Sequence, residues 1–190
     1  GRLGGGWQLS AFPGGTPSAA ALDRAVADRP AFLPNRDGHG AWVNSKALEL
    51  AGITRDTPDP EDGRIERDAE GHPTGTLHEG AMGLVNRLLP PESPARLREA
   101  LAVGQRYLHS FGITAWQDAI VGTSYGDAGD PLPAYLAAAA AGELTGRVVG
   151  SLWWDRARGL EQIDDLVAKR DAGRVGRFAA TSVKIMQGGV

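Results

Sequence analysis

The stretch "RVVGSLWWDRARGLEQIDDLVAKRDAGRVGRFAATSVKIM", residues 147–186, decides the fold. Its ends, "RVVGSLWW" (147–154) and "FAATSVKIM" (178–186), are short runs rich in apolar, β-branched and aromatic residues, whereas "LEQIDDLVAKRDA" (160–172) reads as a helix. Strand, helix and strand with short connections predict parallel strands joined by a crossover. The pattern extends backwards into "ITAWQDAIV" (113–121), a strand, and "LPAYLAAAAAGE" (132–143), a helix. The expectation is an α/β fold, either a doubly wound sheet or a slice of an α/β barrel. Because the text stops just after the third strand, that strand would lack a covering helix, and the segment reads as part of a larger domain.

Ahead of this unit, Ser93 caps and Pro94 opens a helix whose Leu97, Leu101, Gly104, Leu108 and Phe111 recur in steps of four and three. "LPPESP" before it marks a boundary, which divides the chain into residues 1–91 and 92–190. The first part is loop-rich. Residues 57–79, "TPDPEDGRIERDAEGHPTGTLHE", predict a small hairpin with "GRIER" and "TGTLHE" as strands. Thr16 is placed to cap a helix from Pro17 to about Asp28. Asn44 or Ser45 caps "KALELAG", which Gly52 ends. "AFL" (31–33) is a short strand, followed by a polar turn from Asn35 to Gly40.

Composition excludes several classes. The formal charge of −3, with Lys and Arg scattered, leaves no electrostatic footprint for nucleic acid. No apolar run approaches the roughly 20 residues of a membrane span, and the opening lacks the form of a signal peptide. With no cysteine, a transition metal would have to be held by His, carboxylate or a modified Lys. A cytoplasmic location is the default expectation. The 27 glycines and 12 prolines in a chain of 42% hydrophobic content indicate many turns in a globular protein.

In α/β architectures functional groups gather at the carboxyl ends of strands. Gln117, Asp118, Asp155 and Lys184 occupy such positions. Lys184 stands out, because an ammonium in the apolar run "VKIM" needs a partner, a pKa shift or a chemical change. Alternation puts Val183 and Ile185 on one side of that strand, and Ser182 and Lys184 on the other. The four histidines, His39, His72, His78 and His109, form no HxH, HxxxH or HExxH pair, so they carry no self-contained zinc signature. The loop "NRDGHGAWVNS" (35–45) concentrates polar and aromatic groups, either lining a polar pocket or bonding to itself as a turn.

Taken together, "GGGW", "RPAFLPNRDGHGAWVNSKALELAGI", "TPDPEDGRIERDAEGHPTGTLHEGAM", "FGITAWQDA" and "VKIMQGGV" resemble, in order and spacing, the middle part of the metal-dependent hydrolases of amidohydrolase family 3, which includes N-substituted formamide deformylase-like enzymes. The resemblance implies a partial (β/α)8 TIM-type barrel of the amidohydrolase superfamily beside a small β-rich subdomain. It implies a divalent metal, zinc above all, and hydrolysis of C–N bonds in a small amide-like substrate by metal-activated water. "GITAWQDA", "RVVGSLWW" and "TSVKIM" would be barrel strands 2, 3 and 4. Lys184 would then be a metal ligand as a carboxylated lysine, CO2 having added to its neutral amine. His39, Asp37, Asn44, Trp42, Gln117 and Asp118 would contact substrate. The remaining metal ligands of the family have no counterpart in these residues, so the 190-residue chain alone is expected to be inactive and to hold no metal tightly. The contrasting expectation is a non-catalytic binding or self-associating domain on a half-barrel, for which the open sheet edge favours a homodimer.

Overall fold

Phe32–Pro34 (β1) and Gly40–Val43 (β2) pair antiparallel, and the chain turns between them because Asn35 N–H donates to the Gly40 carbonyl at 2.7 Å. These strands belong to the first of two compact units in the computed structural model, which describes residues 5–90, 92–124 and 129–187. Gly63–Arg67 (β3) and Pro73–Glu79 (β4) complete an antiparallel sheet of order β1-β2-β4-β3. The sequence reading has no strand at 40–43, since a turn rich in glycine and polar residues hides its short apolar end.

Burial follows the alternation of these strands. Leu77 and Val43 are fully buried, together with Ile65, Ala47, Ala81 and Val85. Gly75, at φ 108°, lies so close to a neighbouring segment that a Cβ would strike Ala19 N and the Val43 carbonyl. A side chain there would force the first helix off the sheet.

That helix, Ala19–Asp23 (α1), is shorter than its sequence suggests, and Ser18 rather than Thr16 caps it, accepting from Ala21 N–H at 3.3 Å. Competing hydrogen bonds explain the early stop. The Asp23 carboxylate is drawn to Ser45, accepting its N–H at 3.0 Å and its hydroxyl at 2.6 Å. The Val26 and Arg29 carbonyls accept from the Asn44 side chain at 2.7 and 2.8 Å, which pulls them out of helical register. Asn44 also caps Ser45–Ala51 (α2), and Gly52, at φ 67°, ends it in the left-handed conformation. A 3₁₀ turn (Gly80–Met82) and Gly83–Asn86 (α3) close the unit.

The second unit opens with Pro94–Ser110 (α4), capped by Ser93 Oγ accepting from Arg96 N–H at 3.2 Å. Ala115–Val121 (β5), Leu132–Ala140 (α5), Arg147–Trp153 (β6), Ile163–Ala172 (α6) and Phe178–Lys184 (β8) follow, with Arg174–Val175 (β7) just before β8. The sheet order is β5-β6-β8-β7: the first three strands are parallel and β7 is antiparallel. The fold is therefore α/β, with β7 a two-residue addition too short to leave a pattern in the sequence.

Val121, Val148, Leu152, Phe178 and Ala180 of these strands pack against Leu132, Tyr135 and Ala138 of α5 and Leu166 of α6. Phe178 stacks on Tyr135 with ring centroids 4.9 Å apart and planes 10° from parallel. The ladder is irregular in two places: the β5–β6 register shifts between Asp118 and Val121, and the β6–β8 register between Ala179 and Ser182. Each shift is a bulge that changes which residues share a face.

Candidate functional site

Two places carry functional groups, one in each unit. In the first unit, the β1–β2 turn and the ends of β3 and β4 surround a cavity of about 500 Å3, with Asn35, Asp37, His39, Asp62, His78 and Glu79 in its wall. His39 Nδ1 lies 2.9 Å from Glu79 Oε1, and both side chains are partly buried. An ionised carboxylate only accepts, so Nδ1 carries the proton, and in the neutral imidazole Nε2 keeps its lone pair. His78 Nε2 is likewise held 3.1 Å from Glu66 Oε1, while the Arg64 guanidinium also donates to Glu66.

The backbone beneath this pair is strained. Glu79 has φ 48° and ψ −127°, a conformation natural only to glycine, and among the described residues no other non-glycine has a positive φ. Its N–H donates to the His39 carbonyl at 3.1 Å, so backbone and side chain both tie the β4 end to the turn. Such strain persists where the surroundings over-determine it, and functional sites are where it collects. Neither Glu79 nor His78 stands out in the sequence. The available signal is that "LHEG" follows the hairpin and that β4 lies beside β2, which pairs Gly40 with His78.

The other candidates of this loop separate. Asp37 Oδ1 accepts from His39 N–H at 3.0 Å, so the loop is both a self-bonded turn and a cavity wall. Asn44, in contrast, is fully buried and has its four hydrogen bonds inside the protein: Oδ1 accepts from Ala31 N–H (2.9 Å) and Ala47 N–H (3.0 Å), and Nδ2 donates to Val26 and Arg29. Its predicted substrate contact is corrected to an architectural role, since no hydrogen-bonding atom is left for a ligand. Trp42 is committed too, its indole N–H donating to the Ser18 carbonyl at 2.9 Å and its ring meeting Phe12 edge-on.

In the second unit, the bulges sort the strand-end groups. Residues opposite each other on neighbouring strands share a face. Gln117 opposes Val149, Ser151 opposes Ser182, and Trp153 opposes Lys184. Gln117 Nε2 donates to Ser151 Oγ at 2.7 Å, which confirms that these belong to one face. Lys184 is thus half-buried at the carboxyl end of β8, on the polar face that also carries Gln117, Ser151 and Ser182. Val183 and Ile185, its apolar neighbours, are the exposed ones at 48% and 58%.

Asp118 faces the opposite way, against α5. Its Oδ2 accepts from the Tyr135 hydroxyl at 3.0 Å, and Trp116 Nε1 donates to the same hydroxyl at 3.3 Å. Burial, and secondarily the Asp118 charge and its hydrogen bond, push the Tyr135 hydroxyl above the ordinary tyrosine range, against the lowering effect of the Trp116 donor. Asp118 and Gln117 therefore do not act together at one surface. Asp155 is a loop organiser: Oδ1 accepts from Ala157 N–H at 2.9 Å, and its backbone is gripped by buried Gln162. The glycines behind Lys184, Gly188 and Gly189, and Gly4 of the "GGGW" opening lie outside the described residues.

Among the described residues, no group of three or more His, Asp or Glu side chains is placed to hold a metal ion. On the face of Lys184, beside Trp153, the polar neighbours are hydroxyl and carboxamide groups, which do not make a transition-metal donor set. These residues do not by themselves fit a complete metal centre.

The amidohydrolase family model matches residues 1–190. The chain belongs to the amidohydrolase family. It is 39% identical over 144 residues to the amidohydrolase YtcJ of Bacillus subtilis, a match covering 74% of this chain and 27% of that protein. It is 44% identical over 70 residues to the N-substituted formamide deformylase of Arthrobacter pascens, covering 37% of this chain and 13% of that one. The fold resembles that of metal-dependent hydrolases from Pyrococcus horikoshii and Pyrococcus furiosus, each with a TM-score of 0.55, at 21% and 23% identity. Both cover 96% of this chain and about a third of the solved one (33% and 34%). The chain thus spans about a quarter of the curated relative with the longest match and a third of these structures.

Proposed function

We propose that this chain is a working segment of a longer metal-dependent amidohydrolase that cleaves amide-like C–N bonds, and that it turns over no substrate by itself. The observation that carries the reading is Lys184 at the carboxyl end of the last parallel strand, on the one face where Gln117, Ser151 and Ser182 present polar groups. Strand carboxyl ends are where α/β folds assemble their chemistry. On this reading the three parallel strands form an arc of a (β/α)8 barrel. Lys184 contributes one ligand, as its carbamate, to a divalent metal centre, zinc in the first instance. Forming the carbamate joins CO2 to the neutral amine with loss of one proton, turning a cation into an anionic oxygen donor. Family membership and the name of the Arthrobacter relative support the amide class.

The test uses a polypeptide that includes this segment with its flanking sequence. Amine release from a panel of N-substituted amides should fall on chelation and return with added zinc. Lys184→Ala should lose bound metal and turnover together, with partial rescue by added short carboxylates. A variant that keeps full metal and rate would remove Lys184 from the centre, and turnover by the 190-residue chain alone would refute its role as a dependent segment.

A further inference from the structure

We propose that the cavity of the first unit recognises a neutral carboxamide group, Asn35 Nδ2 donating to the ligand carbonyl and His39 Nε2 accepting its N–H. The proposal deepens the amide reading above and rests on it for the ligand's class, but it concerns binding in the first unit, with no metal involved.

Asn35 is the deciding residue. It is 7% exposed and sits in the cavity wall. Its Oδ1 is used, accepting from Gly40 N–H at 3.1 Å. Its Nδ2 has no partner among the described residues and is not sealed off from solvent, which leaves a donor in the cavity wall free to meet a ligand. A buried amide donor left without a partner costs stability unless a ligand or water meets it. Gly40 keeps the gap between these groups clear of a side chain: a Cβ there would sit 3.2 Å from Asn35 Nδ2 and 3.5 Å from His78 Nδ1.

The opposite need is supplied by the imidazoles. In the neutral imidazoles the Glu79 carboxylate takes the His39 Nδ1 proton and Glu66 the His78 Nε2 proton as hydrogen bonds, leaving His39 Nε2 and His78 Nδ1 as acceptors. The cavity therefore offers a fixed donor beside fixed acceptors. A carboxylate would satisfy the donor, yet it would face Asp37, Asp62 and Glu79, with Arg64 already engaged by Glu66. An ammonium would satisfy the acceptors and leave Asn35 unpaired. A neutral carboxamide supplies both partners, and sites built from buried polar groups reject ligands that leave them unmatched.

The experiment is an NMR titration of the isotopically labelled 190-residue chain at pH 8, following the Asn35 side-chain amide and the His39 and His78 imidazoles. Benzamide should shift all three saturably, and benzoate and benzylammonium should not do so at tenfold higher concentration. His39→Phe should weaken benzamide binding about tenfold, as expected for one lost hydrogen bond. Asn35→Asp keeps the acceptor for Gly40 N–H and removes the donor, and should weaken it at least as much. If that variant fails to fold, the wild-type titration and His39→Phe still decide. No benzamide shift, or stronger binding of benzylammonium or benzoate, overturns the proposal. Failed turnover in the longer protein with benzamide binding intact would instead count against amide hydrolysis alone.

Discussion

The two units solve opposite problems with their polar residues. In the first, polar side chains run through the structure as fasteners: Asn44 ties four backbone groups, three of them in residues 26–31, Asn35 and Asp37 shape a turn, and two histidines are clamped by glutamates. In the second, helices and sheet meet largely through apolar packing, and polar ties such as Asp118–Tyr135 and Gln162–Asp155 lie towards its edges and loops. Both units have an apolar core, and they differ in how much buried polar bonding is added to it.

The sharpest way to break this contrast is Phe178→Ala. The residue is 2% exposed and stacked on Tyr135, so its loss should cost about 3–5 kcal/mol, read by denaturant unfolding of the second unit. Asn44→Ala should cost about 3 kcal/mol, because it strips hydrogen bonds from buried backbone groups and the α2 cap together. Its effect should appear in hydrogen exchange at Ala31 and Ala47 and leave α5 and α6 protected. A stability change below about 1 kcal/mol would mean that water replaces the asparagine and that the first unit is not held by polar fasteners.

Tyr135→Phe should cost about 1 kcal/mol at neutral pH. It also has a pH signature. The folded hydroxyl titrates above its unfolded value, so its contribution is complete below about pH 10 and is lost as pH rises beyond that. The variant should therefore show a flatter alkaline limb than the parent, and identical limbs would deny the buried contact.

The smallest effect belongs to Asp59 in the first unit. The Arg67 guanidinium, and then the Ile65 N–H, hold its carboxyl below the ordinary aspartate range. Its contribution is present above the unfolded value and disappears as pH falls through the folded one. Asp59→Asn should cost a few tenths of a kcal/mol at pH 7, as for other exposed pairs, and progressively less as pH falls below the ordinary aspartate range. The two titrations together test the contrast at opposite ends of the pH scale.

The sequence is most legible where a residue's local chemistry agrees with its tertiary place. "GRIER" and "TGTLHE" form an antiparallel pair, Ser93 and Pro94 start α4, and Gly52 ends α2, because turn and cap preferences act within a few residues. The family resemblance is upheld by the match over the whole chain. Long-range competition is where reading fails. Nothing near Asp28 announces that Asn44 will draw off the Val26 and Arg29 carbonyls, so the first helix is predicted too long. Asn44 is legible as a cap, yet its complete burial is not, and a polar residue in a polar loop resembles a ligand contact. The strained Glu79 carries no local mark, since only the pairing of β4 with β2 brings it to His39.

The bulge in β8 has a consequence for how this chain tolerates change. A strand keeps time in twos, and the irregularity between Ala179 and Ser182 is a skipped beat that puts everything after it out of phase with Phe178. Deleting one of the two residues in the bulge would restore one-to-one pairing and leave Lys184 opposite Trp153, on the face it already occupies. Substitutions beyond the bulge are therefore governed by a different parity from those before it. Losing one residue beyond the bulge, by contrast, would turn every later side chain to the other face.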